Sequence, residues 1–176
     1  MATNDSGAAI GLRIAVLTVS DTRTQANDTS GRFLLEAAQA EGHSVVASDI
    51  VRDDIYQIRA RVSAWIAADD VQVILITGGT GFSGRDSTPE AIAPLFDKRI
   101  EGFGEMFRQL SWQEIGSSTV QSRALAGLAN NTAVFSMPGS TGACKTAWHG
   151  ILREQLDSRH RPCNFVGVLS VRRAQP

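Results

Sequence analysis

Residues Thr77, Gly78, Gly79, Thr80 and Gly81 set three glycines and two hydroxyls in one stretch directly after an apolar run. Glycine admits positive φ and puts no Cβ between backbone amides and an approaching anion, so this composition suits a phosphate cradle. A tight turn that needs glycine for its backbone alone is the competing reading. Pro138-Gly139-Ser140-Thr141 is a second candidate, because it opens onto a helical pattern. A helix start presents free amides and a positive dipole end, with Ser140 or Thr141 as cap, although an ordinary capped helix shows the same residues. Ser20 and Asp21 form a third polar turn after the first apolar run. Acids stand close by in sequence: Asp86 in Gly84-Arg85-Asp86, and Asp53 and Asp54 after another apolar run. Carboxylates repel phosphates unless a cation lies between them, which predicts Mg2+; solvated loop acids are the plainer alternative.

Gly79, Gly81 and Gly84 also spell Gly-x-Gly-x-x-Gly. In a dinucleotide site that pattern leads from a first strand straight into a helix. Here Arg85, Asp86, Ser87 and Thr88 intervene before Pro89, so the helix starts too late and a nicotinamide dinucleotide is not expected.

The elements that must hold these loops alternate. Residues 13–19 are short, apolar and β-branched, as a buried strand requires. Asp28-Thr29-Ser30 then caps a helix whose apolar face is Phe33, Leu34, Ala37 and Ala38, and Gly42 ends it. A strand over 43–51, a helix carrying Ile55, Ile58, Val62 and Trp65 to about residue 68, and a strand over 71–76 follow. Thr88-Pro89-Glu90 begins another helix, and helical segments are expected over 89–96, 104–115 and 119–129. A last buried strand spans 132–137, and a helix runs over 140–156. Strand–helix alternation with continuously apolar strands implies right-handed crossovers and a mostly parallel sheet covered on both faces. Ligands bind such sheets beyond the carboxyl ends of the strands, so the three loops are expected to converge there.

With 176 residues and 43% hydrophobic content, one domain over 12–170 is expected, with a flexible segment at 1–11 and a tail at 171–176. Lysine plus arginine number 17 against 18 acids, a formal charge of −1, which argues against nucleic acid or acidic membrane as partner. Cys144 and Cys163 form no Cys-x-x-Cys pair and no zinc pattern with the histidines, which fits a reducing compartment. The start of the chain lacks the basic and apolar regions of a signal peptide, and no apolar run approaches a membrane span. A soluble, cytoplasmic protein is expected.

Taken in order, Thr77–Gly81, Gly84-Arg85-Asp86 and Thr88-Pro89-Glu90 are joined by Gly102-Phe103-Gly104-Glu105, Arg108-Gln109-Leu110-Ser111 and Ser122-Arg123. Met137-Pro138-Gly139-Ser140, Gly142-Ala143-Cys144-Lys145 and Arg161-Pro162-Cys163-Asn164-Phe165 complete the set. From about Leu12 to Phe165 the chain resembles the molybdopterin-binding family, on its MoaB rather than its MogA branch. The resemblance implies a three-layer α/β/α sandwich that assembles as a homotrimer or hexamer. It also implies molybdenum cofactor biosynthesis, by adenylylation of molybdopterin with Mg-ATP. Asp53 and Asp86 match the family's acidic pair and are expected to be the catalytic, magnesium-linked groups. Ser20, Asp21 and Thr77, Gly78, Gly79, Thr80, Gly81 are expected on the nucleotide side. Pro138, Gly139 and Ser140, with Arg108 and Ser111, are expected on the pterin side. Arg52 stands where active transferases of the family carry proline before the acid, and Thr141 where they carry proline after Pro-Gly-Ser. A non-catalytic molybdopterin-binding or scaffold protein is therefore the alternative.

Overall fold

A computed structural model of the chain describes residues 7–170. Residues 1–6 and 171–176, which belong to the two terminal segments expected from sequence, lie outside the described residues. Strands β1 (Arg13–Val19), β2 (Ser44–Val51), β3 (Val73–Thr77), β4 (Lys98–Arg99), β5 (Leu125–Ala129) and β6 (Thr132–Met137) form one sheet in the order β2-β1-β3-β6-β5-β4. The first four in that order run parallel, and β5 and β4 are antiparallel additions. Helices are α1 (Thr29–Ala40), α2 (Ile55–Ala67), α3 (Thr88–Ile92), α4 (Glu101–Ile115) and α5 (Thr141–Ala147). A π turn, Trp148–Leu152, carries α5 into α6 (Arg153–Gln155), and α7 (Val166–Ser170) follows. Among the described residues no helix is long and apolar enough to cross a membrane.

The central strands are apolar at every position because both of their faces are covered. Ile14 and Val16 of β1, with Val73 and Leu75 of β3, pack against Leu34 and Ala38 of α1, Phe103 and Phe107 of α4, and Cys144 and Ala147 of α5. The alternate residues Ala15, Leu17, Val19, Ile74 and Ile76 pack against Ile58, Val62 and Trp65 of α2 and Ala91 and Ile92 of α3. This two-residue periodicity yields the three-layer α/β/α sandwich.

Three local expectations change. Residues 119–129 are not a helix: a 3-10 segment, Gly116–Gln121, is followed by β5. Alanine and leucine there favour helix intrinsically, but pairing with β6 overrides a weak preference. Asn130 and Asn131 both take positive φ, 50° and 58°, and make the two-residue hairpin turn that joins β5 to β6. Gly127 leaves room for the Phe96 ring, whose nearest carbon would lie 2.3 Å from an added Cβ. The helix expected over 89–96 stops at Ile92 and gives way to a 3-10 turn, Ala93–Leu95. Pro94 lacks the amide that would bond the Glu90 carbonyl, which instead accepts from Arg59 Nη2 at 3.0 Å. Helix α4 starts at Glu101, ahead of the expected residue 104.

Candidate functional site

Parallel register brings the carboxyl ends of β1, β3 and β6 level: Thr18 pairs with Thr77, and Thr77 with Met137. The three loops expected to converge do so, and they meet at Gly78. Its amide donates to the Met137 carbonyl at 3.1 Å. With φ at +103°, a Cβ there would stand 2.2 Å from the Val19 carbonyl oxygen. From the third loop, an added Cβ on Gly139 would lie 3.2 Å from Gly78 Cα. Only glycine satisfies both the dihedral and the space at position 78.

Around this point opens a cleft with a volume of about 420 Å³. Ser20, Thr77, Gly78, Gly79, Thr80, Gly81, Asp86, Pro138 and Gly139 line it. Ser140 follows directly and caps α5, accepting from the Ala143 amide at 3.1 Å. Thr141 occupies the first helical position, where proline is also tolerated, and its hydroxyl meets Thr29 Oγ1 at 2.9 Å. The exchange of proline for threonine thus adds a tie between α1 and α5.

The acids divide by role. Asp54 caps α2, accepting from the Tyr56 and Gln57 amides at 3.0 and 2.9 Å. Asp53 Oδ1 accepts from the Ser87 amide at 2.9 Å and its hydroxyl at 2.8 Å, while Oδ2 lies 2.7 Å from where a Gly79 Cβ would be. Asp86 Oδ2 accepts from the Ser83 amide at 2.8 Å, and the carboxylate lies against Gly81. Hydrogen bonding from Ser83, helped by the Gly81 amide and the nearby Arg123 charge, holds the Asp86 carboxyl below its ordinary pKa against the opposing effect of burial. Asp21 forms a forked pair with Arg85, at 3.0 Å to Nε and 2.7 Å to Nη2, and this hydrogen bonding lowers its pKa. Asp21 Oδ1 also accepts from the Asp53 amide at 3.3 Å, which ties the β1, β2 and β3 loops together.

Arg108 and Ser111 sit on α4 and do not line the cleft. The Arg108 guanidinium donates to the Ala124 carbonyl at 3.2 Å, and Ser111 is buried. Ile115, one turn beyond Ser111, does reach the cleft, as do Ser118, Gln121 and Ser122. Sequence reading gave Ile115, Ser118 and Gln121 no role, since a helix over 119–129 would have carried the chain past the cleft. Arg23, from the β1–α1 connection, and Ser30, in the first turn of α1, also line it. Ser30 was read only as part of a helix cap, and Arg23 carried no signal beyond its place after a strand. Ser122 Oγ is closed off from solvent with no hydrogen-bond partner in the protein, a costly arrangement.

Among the described residues no group of three or more histidines, cysteines and acids is placed to hold a metal ion alone. Magnesium carried by a nucleotide needs only one or two carboxylates besides phosphate oxygens and water. Asp53 and Asp86 fit that donor set. The cleft therefore offers amides and hydroxyls for anions, with carboxylates beside them for a cation that arrives with its ligand.

Comparison with known proteins finds close relatives over most of the chain. Residues 15–158 match the family described as a "probable molybdopterin binding domain". Molybdenum cofactor biosynthesis protein B of Escherichia coli K12 is 62% identical over 156 residues, covering 89% of this chain and 92% of that protein. A crystal structure of a molybdenum cofactor biosynthesis protein B is 40% identical and superposes with a TM-score of 0.84, covering 94% of this chain and 98% of the other. The tungsten cofactor synthesizing protein MoaB from Pyrococcus furiosus is 38% identical with a TM-score of 0.73, covering 82% and 92%.

Proposed function

The chain belongs to the MoaB/MogA molybdopterin-binding family, and from that premise we propose that its cleft binds molybdopterin with Mg-ATP and transfers AMP to the pterin. Its place in molybdenum cofactor biosynthesis follows from the family; the transfer is the reading its geometry supports best. The observation that carries it is the meeting of three anion-compatible loops at one cleft that Asp86 lines, with Asp53 packed against Gly79 just behind the lining.

In this reaction a phosphate oxygen of molybdopterin attacks the α-phosphorus of ATP. The bond from that phosphorus to the bridging oxygen breaks, and pyrophosphate leaves. The attacking oxygen is already ionised near neutral pH, so the protein supplies position and charge rather than a strong base. In this reading Thr77 to Gly81 and Ser20, which line the cleft, take the nucleotide side with Asp21 at its rim; Pro138 and Gly139, which also line it, take the pterin side with Ser140 next to them. Asp53 and Asp86 hold the magnesium of the nucleotide.

Incubation with molybdopterin, ATP and magnesium is expected to release pyrophosphate and form adenylylated pterin. Retention of pterin with neither product would leave the second reading, a non-catalytic binding or scaffold protein. That reading is favoured by the loop hydrogen bonds that already engage both acids. We also propose a homotrimer or hexamer, supported by the exposure of Met106, Trp112 and Ile115 on α4. Phe103 and Phe107 on the same helix are core residues. Light scattering that gave a monomer mass would remove the assembly.

A further inference from the structure

Arg123 lies outside the cleft lining, yet its guanidinium spans the back of the glycine loop. Nε donates to the Thr80 carbonyl at 3.2 Å, and Nη2 donates to the carbonyls of Gly81 and, at 3.0 Å, Asp86. Nη1 meets the Glu90 carboxylate, and the plane lies 5.0 Å over the Phe82 ring. In a trans peptide the carbonyl and the next amide point in opposite directions. Turning the Thr80 carbonyl toward Arg123 therefore turns the Gly81 amide away, where it faces the Asp86 carboxylate. Turning the Asp86 carbonyl toward Arg123 sends the Ser87 amide away, where it meets Asp53 Oδ1 at 2.9 Å.

We propose that Arg123 is a positioning residue that sets both acids of the cleft at once, by holding the peptide units whose amides hold the two carboxylates. Glu90 and Phe82 fix the guanidinium from the outside, so the arrangement is a strut from α3 through Arg123 to the loop. Its planar fork matters more than its charge. A lysine ammonium is a point donor on a flexible stem and does not reach three carbonyls in one plane.

The consequence for ligand binding rests on the reading of Asp53 and Asp86 as the magnesium-linked pair. ATP affinity is measured by calorimetry with and without magnesium for the wild type, Arg123→Lys and Arg123→Ala. Both variants are expected to lose about tenfold or more of the magnesium-dependent part of the affinity and a clearly smaller share of the magnesium-free part, because the same loop serves both. Equal loss in both parts, or loss in neither, would mean a merely structural role and refute the setting of the acids. Methylguanidinium is expected to restore the magnesium-dependent part to Arg123→Ala, and ammonium is not. In parallel, hydrogen exchange of the peptide covering residues 80–88 is expected to speed up in both variants and to slow again with methylguanidinium. If lysine proves as good as arginine in both measurements, or exchange over 80–88 is unchanged, the strut is refuted. If the wild type shows no magnesium-dependent ATP binding, the magnesium reading fails, and exchange alone decides the strut.

Discussion

The two anion cradles of this cleft are built by opposite means. The Pro138–Ser140 loop is shaped mainly by its own helix: Ser140 caps the helix that begins at the next residue, with Ala143 three positions away, and the Pro138 carbonyl adds one distant contact, accepting from Thr77 Oγ1 at 3.1 Å. The Thr77–Gly81 loop is assembled from a distance. Val19 and Gly139 crowd Gly78, Asp53 comes up to Gly79, and Arg123 receives the carbonyls of Thr80 and Gly81. A local cradle tolerates losing a contact because the helix persists without it. A cradle made of long-range contacts fails as a unit, since each contact fixes the geometry of the others.

Substitutions on the two sides turn that contrast into measurements. The largest effect is expected from Gly78→Ala, which combines a positive φ with a Cβ 2.2 Å from a carbonyl oxygen. A loss of roughly 3–5 kcal/mol in urea unfolding is expected, and a loss below about 1 kcal/mol would show that the three loops separate freely. Next comes Asp86→Asn, which keeps shape and removes charge. Adenylylation is expected to fall by about 100-fold or more with folding and assembly retained, and unchanged turnover would end the assignment of magnesium to Asp86. On the local side, Ser140→Ala removes one cap and is expected to cost about 1 kcal/mol. A cost as large as that of Gly78→Ala would erase the distinction between the cradles.

The smallest effect concerns pH. Arg85 lowers the Asp21 pKa below the ordinary value of 3.8, so the tie between their loops is present above that value. It is lost as pH falls through the lowered pKa of the folded state. A carbon-13 titration of the Asp21 carboxyl is expected to show its midpoint below 3.8, and Arg85→Met is expected to return it upward. A midpoint unaffected by Arg85→Met would mean that the pair adds nothing to the rim.

The same contrast explains what could be read in the residues alone. The parallel sheet, the strand ends and the helix caps rest on patterns a few residues long, and Asp28 and Ser140 cap helices as such patterns suggest, while Asp54, read as a loop acid, turns out to cap α2. Thr77–Gly81 was legible as an anion-compatible loop because its glycines announce backbone freedom. Asp86 and Asp53 were legible beside it as acids, but the hold of Arg123 on its carbonyls was not, because that residue reaches the loop by tertiary contact. Residues 119–129 misled for a related reason. Alanine and leucine carry a helical preference, while the strand depends on β6 alongside and on a turn, Asn130–Asn131, whose positive φ values went unread. The cleft wall at Ser118, Gln121 and Ser122 was hidden with it.

At Gly78, strands β1, β3 and β6 come together with no side chain between their loops. For anyone redesigning this cleft, that makes the floor a poor place to begin: an insertion or a larger residue in one loop displaces the other two. The wall at Ser118 and Gln121, both exposed, carries no such constraint. Ligand preference can therefore be varied at those two positions while the floor stays as it is, and a library confined to them should yield folded proteins at a far higher rate than one spread over the floor.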